Sequence, residues 1–128
     1  GCILKEVGTT NRTKLADYEK AIGENTAMLL RVHPSNYRVI GFTSSPGNAE
    51  LAALSREKGV VFFEDAGSGA LVDLSQFGLG DEPLISRSVA EGADLVAFSG
   101  DKLLGGPQSG IIVGRRNLVE TIRRHPLY

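Results

Sequence analysis

Residues 60–64, Val-Val-Phe-Phe-Glu, are apolar and β-branched or aromatic, and such a run predicts a strand buried on both faces of a parallel sheet. On either side the apolar pattern switches repeatedly between short β-rich runs and helical periodicity. That switching predicts an α/β layered domain and excludes an all-helical or all-strand one. Residues 1–7 read as a strand, followed by a polar loop at residues 8–12 and a helix presenting Leu15, Tyr18 and Ile22 before Gly23. Residues 26–33 and 39–42 read as two further strands. A helix begins near Asn48, presents Leu51 and Leu54, and stops at Gly59. Residues 66–82 are Gly-rich and irregular, leading into a weak helix over 83–91. Residues 94–98 and 110–113 read as strands whose connection is too short for a helical crossover, which makes them antiparallel. Asn117 with Glu120 three positions on predicts a capped helix start, and Pro126 closes that helix. No internal repeat or domain boundary interrupts the series.

Composition adds limits. With 128 residues, 41% hydrophobic and 23% charged, the chain can build one domain-sized core. A first residue other than Met, in a segment that already reads as mid-strand, predicts an internal piece of a longer protein. The net charge of −1 lacks the basic excess of a dedicated nucleic-acid binder. Residues 99–128 nevertheless carry +3 and the remainder −4; a solvated helix face is the favoured reading of that basic quarter, with phosphate or RNA as the alternative. A single cysteine, Cys2, permits no internal disulfide and fits a reducing, cytoplasmic setting. No Cys/His cluster has zinc spacing, so no metal is expected, and no apolar run is long enough to span a membrane.

In open α/β sheets ligands bind beyond the C-terminal ends of strands, which directs attention to four places. Lys102, in Ser99-Gly100-Asp101-Lys102-Leu103-Leu104-Gly105-Gly106-Pro107, sits between two strands among small and apolar residues. Partial desolvation there would favour the neutral, nucleophilic amine; from position alone an exposed loop lysine is the weightier reading. Asp65 emerges at the end of the 60–64 run, where its carboxylate needs a cationic partner such as a protonated pyridine nitrogen, or else caps the Gly-rich turn that follows. Ser99 and Gly100 could offer a hydroxyl and a backbone N–H to a phosphate. Asp101 either tunes the lysine and handles a proton or faces water. His33 is more often a structural strand-end histidine than a ligand. Asn36 is either a turn residue or a contact to a cofactor ring oxygen. Thr9, Thr10, Asn11 and Arg12 form a loop in which Arg12 is either an anion clamp or a surface residue. A strand-end Asp followed 37 residues later by a loop Lys, with Ser before it and glycines after, is the order seen in fold-type-I pyridoxal-phosphate enzymes.

Four longer strings are more specific: Glu6-Val7-Gly8-Thr9-Thr10-Asn11-Arg12-Thr13; His33-Pro34-Ser35-Asn36-Tyr37 running to Gly41-Phe42-Thr43; Glu64-Asp65-Ala66-Gly67-Ser68-Gly69; and the block from Phe98 through Lys102 to Gly110. Together they closely resemble the bacterial selenocysteine synthases, the L-seryl-tRNA(Sec) selenium transferases, over essentially all 128 residues. The resemblance implies that residues 1–128 are an internal piece of the catalytic large domain of a fold-type-I enzyme: a mostly parallel sheet with one antiparallel strand and helices on both faces. It implies pyridoxal 5'-phosphate held as a Schiff base by Lys102, with Asp65 at the ring nitrogen and Ser99, Gly100, His33 and Asn36 around the cofactor. The implied reaction turns seryl-tRNA(Sec) into selenocysteinyl-tRNA(Sec) with selenophosphate, through an aminoacrylyl intermediate, with Asp101 a candidate for proton handling. It also implies a homo-oligomer with active sites between subunits, where the Thr9–Arg12 stretch would work at a boundary. By the same resemblance the tRNA-binding part, the upstream phosphate-binding residues and the downstream arginines for the selenium donor lie outside this chain, so the chain alone is expected to be inactive. Two other functions stay open: a related lyase acting on a small amino acid or amino-sugar acid, and a non-catalytic scaffold or tRNA-binding subunit.

Overall fold

The runs at 26–33, 60–64, 94–98 and 110–113 become four strands of one sheet in the computed structural model, which describes residues 1–80 and 82–128. These are β1 (Met28–Val32), β2 (Val61–Asp65), β3 (Leu95–Ser99) and β4 (Gly110–Gly114), in the order β1-β2-β3-β4. β1 pairs with β2 and β2 with β3 in parallel, whereas β3 and β4 are antiparallel, as their short connection requires. Four helices accompany them among the described residues: α1 (Leu15–Ala21), α2 (Asn48–Lys58), α3 (Ile85–Ala90) and α4 (Arg116–Arg123). Residues 66–80 and 82–84 are irregular apart from a single 3-10 turn at Ser75–Phe77; Asp81, within the stretch expected to be irregular, lies outside the described residues. None of these helices is long and apolar enough to cross a membrane.

Register decides which side chains meet. Pairing of Leu29 with Phe62, Arg31 with Glu64, Glu64 with Val96, and Phe98 with Ile111 places these residues on one face, because side chains alternate along a strand. That face carries the core: Leu29, Phe62, Val96 and Phe98 pack with Leu51, Ala52 and Leu54 of α2 and Ile85 of α3. Each buried Leu or Phe of this set contributes about 1.5–3 kcal/mol relative to exposure. α2 is held at its start by Glu50, whose carboxylate accepts the Gly47 N–H at 2.8 Å, and ends on Gly59 in the left-handed conformation. Tyr18 of α1 donates its hydroxyl to the Leu30 carbonyl at 3.3 Å; burial raises its pKa above the ordinary phenol value, and the charge of Arg31 pulls it partly back.

The opposite face corrects the expectation that the 60–64 run is buried on both sides. Val61, Phe63 and Asp65 are only half-buried, as are Ala97 and Ser99 in β3. Two further expected strands are absent. Residues 1–7 have no regular structure, and Ile3 and Leu4 are 96% and 73% exposed. Residues 39–42 likewise form no ladder, with Ile40 and Phe42 exposed. Both are apolar runs without a neighbouring strand to pair with, and a strand exists only through its partner. α4 begins at Arg116, so Asn117 lies inside the helix and caps nothing. The chain turns directly at Gly114, and Arg115, whose guanidinium reaches Asp94 at 3.0 Å, occupies the capping position instead.

Candidate active site

Parallel pairing brings the C-terminal ends of β1, β2 and β3 to one edge, and the antiparallel β4 starts there too. At that edge, on the half-covered face, lies a cavity of about 400 Å³ whose lining includes His33, Asn36, Asp65, Ser99 and Lys102. Five of the residues expected to serve one site, from three different stretches of sequence, therefore share one cavity.

Asp65 reaches it because of its neighbour. Adjacent strand residues point to opposite faces, so Glu64 turns into the core and Asp65 into the cavity. Its Oδ1 accepts the Gly67 N–H at 2.9 Å, the local cap expected of a turn aspartate, and its carbonyl accepts the His33 N–H at 2.8 Å. Gly67 has φ 65°, and a Cβ there would stand 2.6 Å from Ser35 Oγ, so only glycine lets the 33–36 segment close over the end of β2. Gly67→Ala is expected to cost about 1–2 kcal/mol from the left-handed backbone alone. It would also push Ser35 away from the cavity; a thermal unfolding shift in the parent protein checks the first effect.

Ser99 ends β3 half-buried, its N–H donated to the Gly67 carbonyl at 2.9 Å, which leaves the hydroxyl as the group it can offer. Gly100 departs from expectation. Its N–H is donated to the Ser109 carbonyl at 2.9 Å, so it is spent within the hairpin and unavailable to a phosphate. A Cβ at Gly100 would require the Ser109 hydroxyl to rotate and would stand 3.1 Å from the Pro107 carbonyl, so the hairpin loop would have to give slightly. Lys102 lines the cavity from the β3–β4 loop but is exposed, so the desolvation expected of it is not supplied by this chain's own residues. Asp101 is exposed and outside the lining.

The loop of Thr9, Thr10, Asn11 and Arg12 is not part of the cavity lining. It is tied to the 42–44 segment: Asn11 Nδ2 and Arg12 Nε both donate to the Phe42 carbonyl, at 3.1 and 3.2 Å, and Thr9 caps the turn through the Arg12 carbonyl at 2.8 Å. Among the described residues no three His, Cys, Asp or Glu side chains are grouped to hold a metal.

Two features escaped the sequence reading. Ser35 and Tyr37 also line the cavity; they sit in the same strand-end segment as His33 and Asn36, and their position alone could have marked them. On the core face, Glu64 is 2% exposed and held by Arg31 Nη1 at 3.3 Å and Asn48 Nδ2 at 2.8 Å, while Arg31 also donates to Asn48 Oδ1. A carboxylate inside an apolar run was the available signal, since a buried charge demands partners.

The donor set suits a phosphorylated pyridine aldehyde: an amine to take the carbonyl, a carboxylate for a protonated ring nitrogen, and hydroxyl, imidazole and amide groups between them. Comparison with known proteins agrees. The family model described as L-seryl-tRNA selenium transferase matches residues 1–128. An L-seryl-tRNA(Sec) selenium transferase of Rhizobium meliloti (strain 1021) is 64% identical over 127 residues, covering 99% of this chain and 27% of that protein. A solved D-glucosaminate-6-phosphate ammonia-lyase superposes with TM-score 0.72 at 28% identity, covering 93% of this chain and 28% of that one. The cysteine desulfurase of Thermococcus onnurineus NA1 shares the fold at TM-score 0.58 and 23% identity, covering 91% and 26%. These structural neighbours are fold-type-I pyridoxal-phosphate enzymes, and the α/β sheet with its one antiparallel pair is of their kind.

Proposed function

The chain belongs to the L-seryl-tRNA selenium transferase family, and from that premise we propose that its cavity holds pyridoxal 5'-phosphate and that the parent protein converts seryl-tRNA(Sec) to selenocysteinyl-tRNA(Sec) with selenophosphate. The observation that carries this reading is that Lys102 and Asp65 line one cavity at the C-terminal edge of the sheet. Bound there, the cofactor would supply an electron sink for negative charge at the serine α-carbon. Lys102 Nζ is the amine that would hold it covalently and, when free, would take the α-proton of the serine. The Asp65 carboxylate keeps a proton on the ring nitrogen. Ser99, His33 and Asn36 orient the ring from the strand ends, and Asp101 beside the lysine handles protons. The loop from Thr9 to Arg12, which is not in this chain's own cavity lining, serves a boundary between subunits of a homo-oligomer.

The likeness to D-glucosaminate-6-phosphate ammonia-lyase supports a second reading, a lyase for an amino-sugar acid or small amino acid. Its lower identity, 28% against 64%, ranks it below the first. A scaffold without chemistry would have no need of Lys102 and Asp65 in one cavity.

Borohydride reduction of the full-length parent protein followed by peptide mapping is the direct test. The reduced cofactor is expected on Lys102, and attachment to any other lysine sinks the assignment. Turnover is expected with seryl-tRNA and selenophosphate, and not with free serine or D-glucosaminate 6-phosphate; the reverse pattern selects the lyase. Asp65→Asn is expected to retain covalent attachment while lowering turnover about a hundredfold or more, because the ring nitrogen loses its counter-charge.

A further inference from the structure

Beside the cavity of Lys102 and Asp65 lies a second one of about 610 Å³, formed by residues 33–40 and Glu82. The two share His33, Ser35, Asn36 and Tyr37 in their linings, so they are immediate neighbours. Glu82 is the acidic member of the second lining, and its Oε2 is buried with no hydrogen-bond partner among the described residues. Buried acceptors are nearly always satisfied, so one left without a donor beside a cavity points to a donor that arrives with a ligand. Tyr37, on the shared wall, is 63% exposed and presents an aromatic ring to the same space.

A donor, a flat face and this volume describe a nucleoside: carboxylates bind ribose hydroxyls, aromatic rings stack on bases, and sites for small ligands run from about 300 to 1,000 Å³. Resting on the function proposed above, we propose that the second cavity takes the 3'-terminal nucleoside of the aminoacylated RNA, with Glu82 accepting a hydrogen bond from the ribose hydroxyl next to the ester and Tyr37 stacking against the base. The connectivity of the substrate fits. Esterification of one ribose hydroxyl leaves its neighbour as a free O–H donor, and a seryl group reaching Lys102 puts that ribose one ester linkage away, in the direction of the neighbouring cavity.

The test uses the full-length, cofactor-loaded parent protein and two ligands: serine joined by an amide to 3'-amino-3'-deoxyadenosine, and the same compound lacking the 2'-hydroxyl. The wild type is expected to bind the hydroxyl-bearing ligand about tenfold more tightly. Glu82→Met is expected to bring the two affinities within about twofold of each other, and Glu82→Gln, which keeps shape and a weaker acceptor, to give an intermediate ratio. Tyr37→Ala is expected to weaken both ligands about tenfold without changing their ratio. If Glu82→Met does not fold, the ratio for Glu82→Gln decides: a ratio equal to that of the wild type overturns the inference. A wild type that binds both ligands equally also overturns it while leaving the functional reading intact. A loaded wild type that binds neither ligand overturns the inference, whereas the functional reading stands or falls on cofactor attachment at Lys102 and turnover with seryl-tRNA.

Discussion

Lys102→Ala in the full-length parent protein is expected to abolish borohydride-fixable cofactor and to lower selenium transfer about a thousandfold or more. Two roles converge on this one amine, covalent attachment and removal of the α-proton, and alanine removes both. Folding is not expected to suffer. Within this chain Lys102 is exposed, so alanine there removes no packing that this sheet depends on, and such substitutions usually stay within about 0.5 kcal/mol. An unchanged melting temperature beside lost activity therefore separates chemistry from stability. Lys102→Arg sharpens the result, because a guanidinium keeps the charge and cannot give up its proton; it is expected to be as inactive as alanine. Activity of Lys102→Ala within tenfold of wild type would mean that another amine carries the cofactor. The exposure of Lys102 in this chain adds a condition. Its cavity is half open, and the chain spans 27% of its Rhizobium meliloti relative, so the groups that dry the amine for chemistry are proposed to come from the rest of the protein or from a neighbouring subunit.

What could be read from the sequence was whatever short-range pattern decides. The four sheet strands follow from apolar runs that do find partners, and the antiparallel pairing of β4 follows from the length of the loop before it. Residues 1–7 and 39–42 carry the same kind of run and form no strand, since composition within a segment says nothing about whether a neighbour lies alongside. The cavity was legible at the level of strand ends: Asp65, Ser99 and His33 each follow an apolar run and each arrives at the same edge. Burial and hydrogen-bond assignment were not. The Gly100 N–H is taken by Ser109 nine residues away, and the Thr9–Arg12 loop is taken by Phe42 some thirty residues away, facts that only the folded chain contains. The resemblance to a family supplied roles for these residues, but not which of their groups were already engaged.

Arg31→Met is expected to destabilise the sheet by about 3 kcal/mol, the low end for removing one member of a buried ion pair, since the Arg31 side chain is 28% exposed while that of Glu64 is 2% exposed. Without Arg31, the Glu64 carboxylate keeps the Asn48 amide at 2.8 Å but loses its counter-charge in a site closed to water. Native-state hydrogen exchange at the β2 amides reads the effect locally, and 3 kcal/mol corresponds to roughly a hundredfold loss of protection. Glu64→Gln alone is expected to cost only about 1 kcal/mol, because Arg31 is near enough to the surface to find solvent. The double variant Arg31→Met with Glu64→Gln is then expected to lie within about 1.5 kcal/mol of wild type, since the uncompensated charge is gone and the amide can still meet Asn48. A single Arg31→Met cost below about 1 kcal/mol would show that the carboxylate is supported by something other than this pair. The consequence reaches the cavity through the backbone. Glu64 and Asp65 are consecutive, so the network that anchors Glu64 on the core face also fixes the strand register that aims Asp65 at the other. Arg31→Met is therefore expected to weaken cofactor retention as well as the fold, with Glu64→Gln restoring both together.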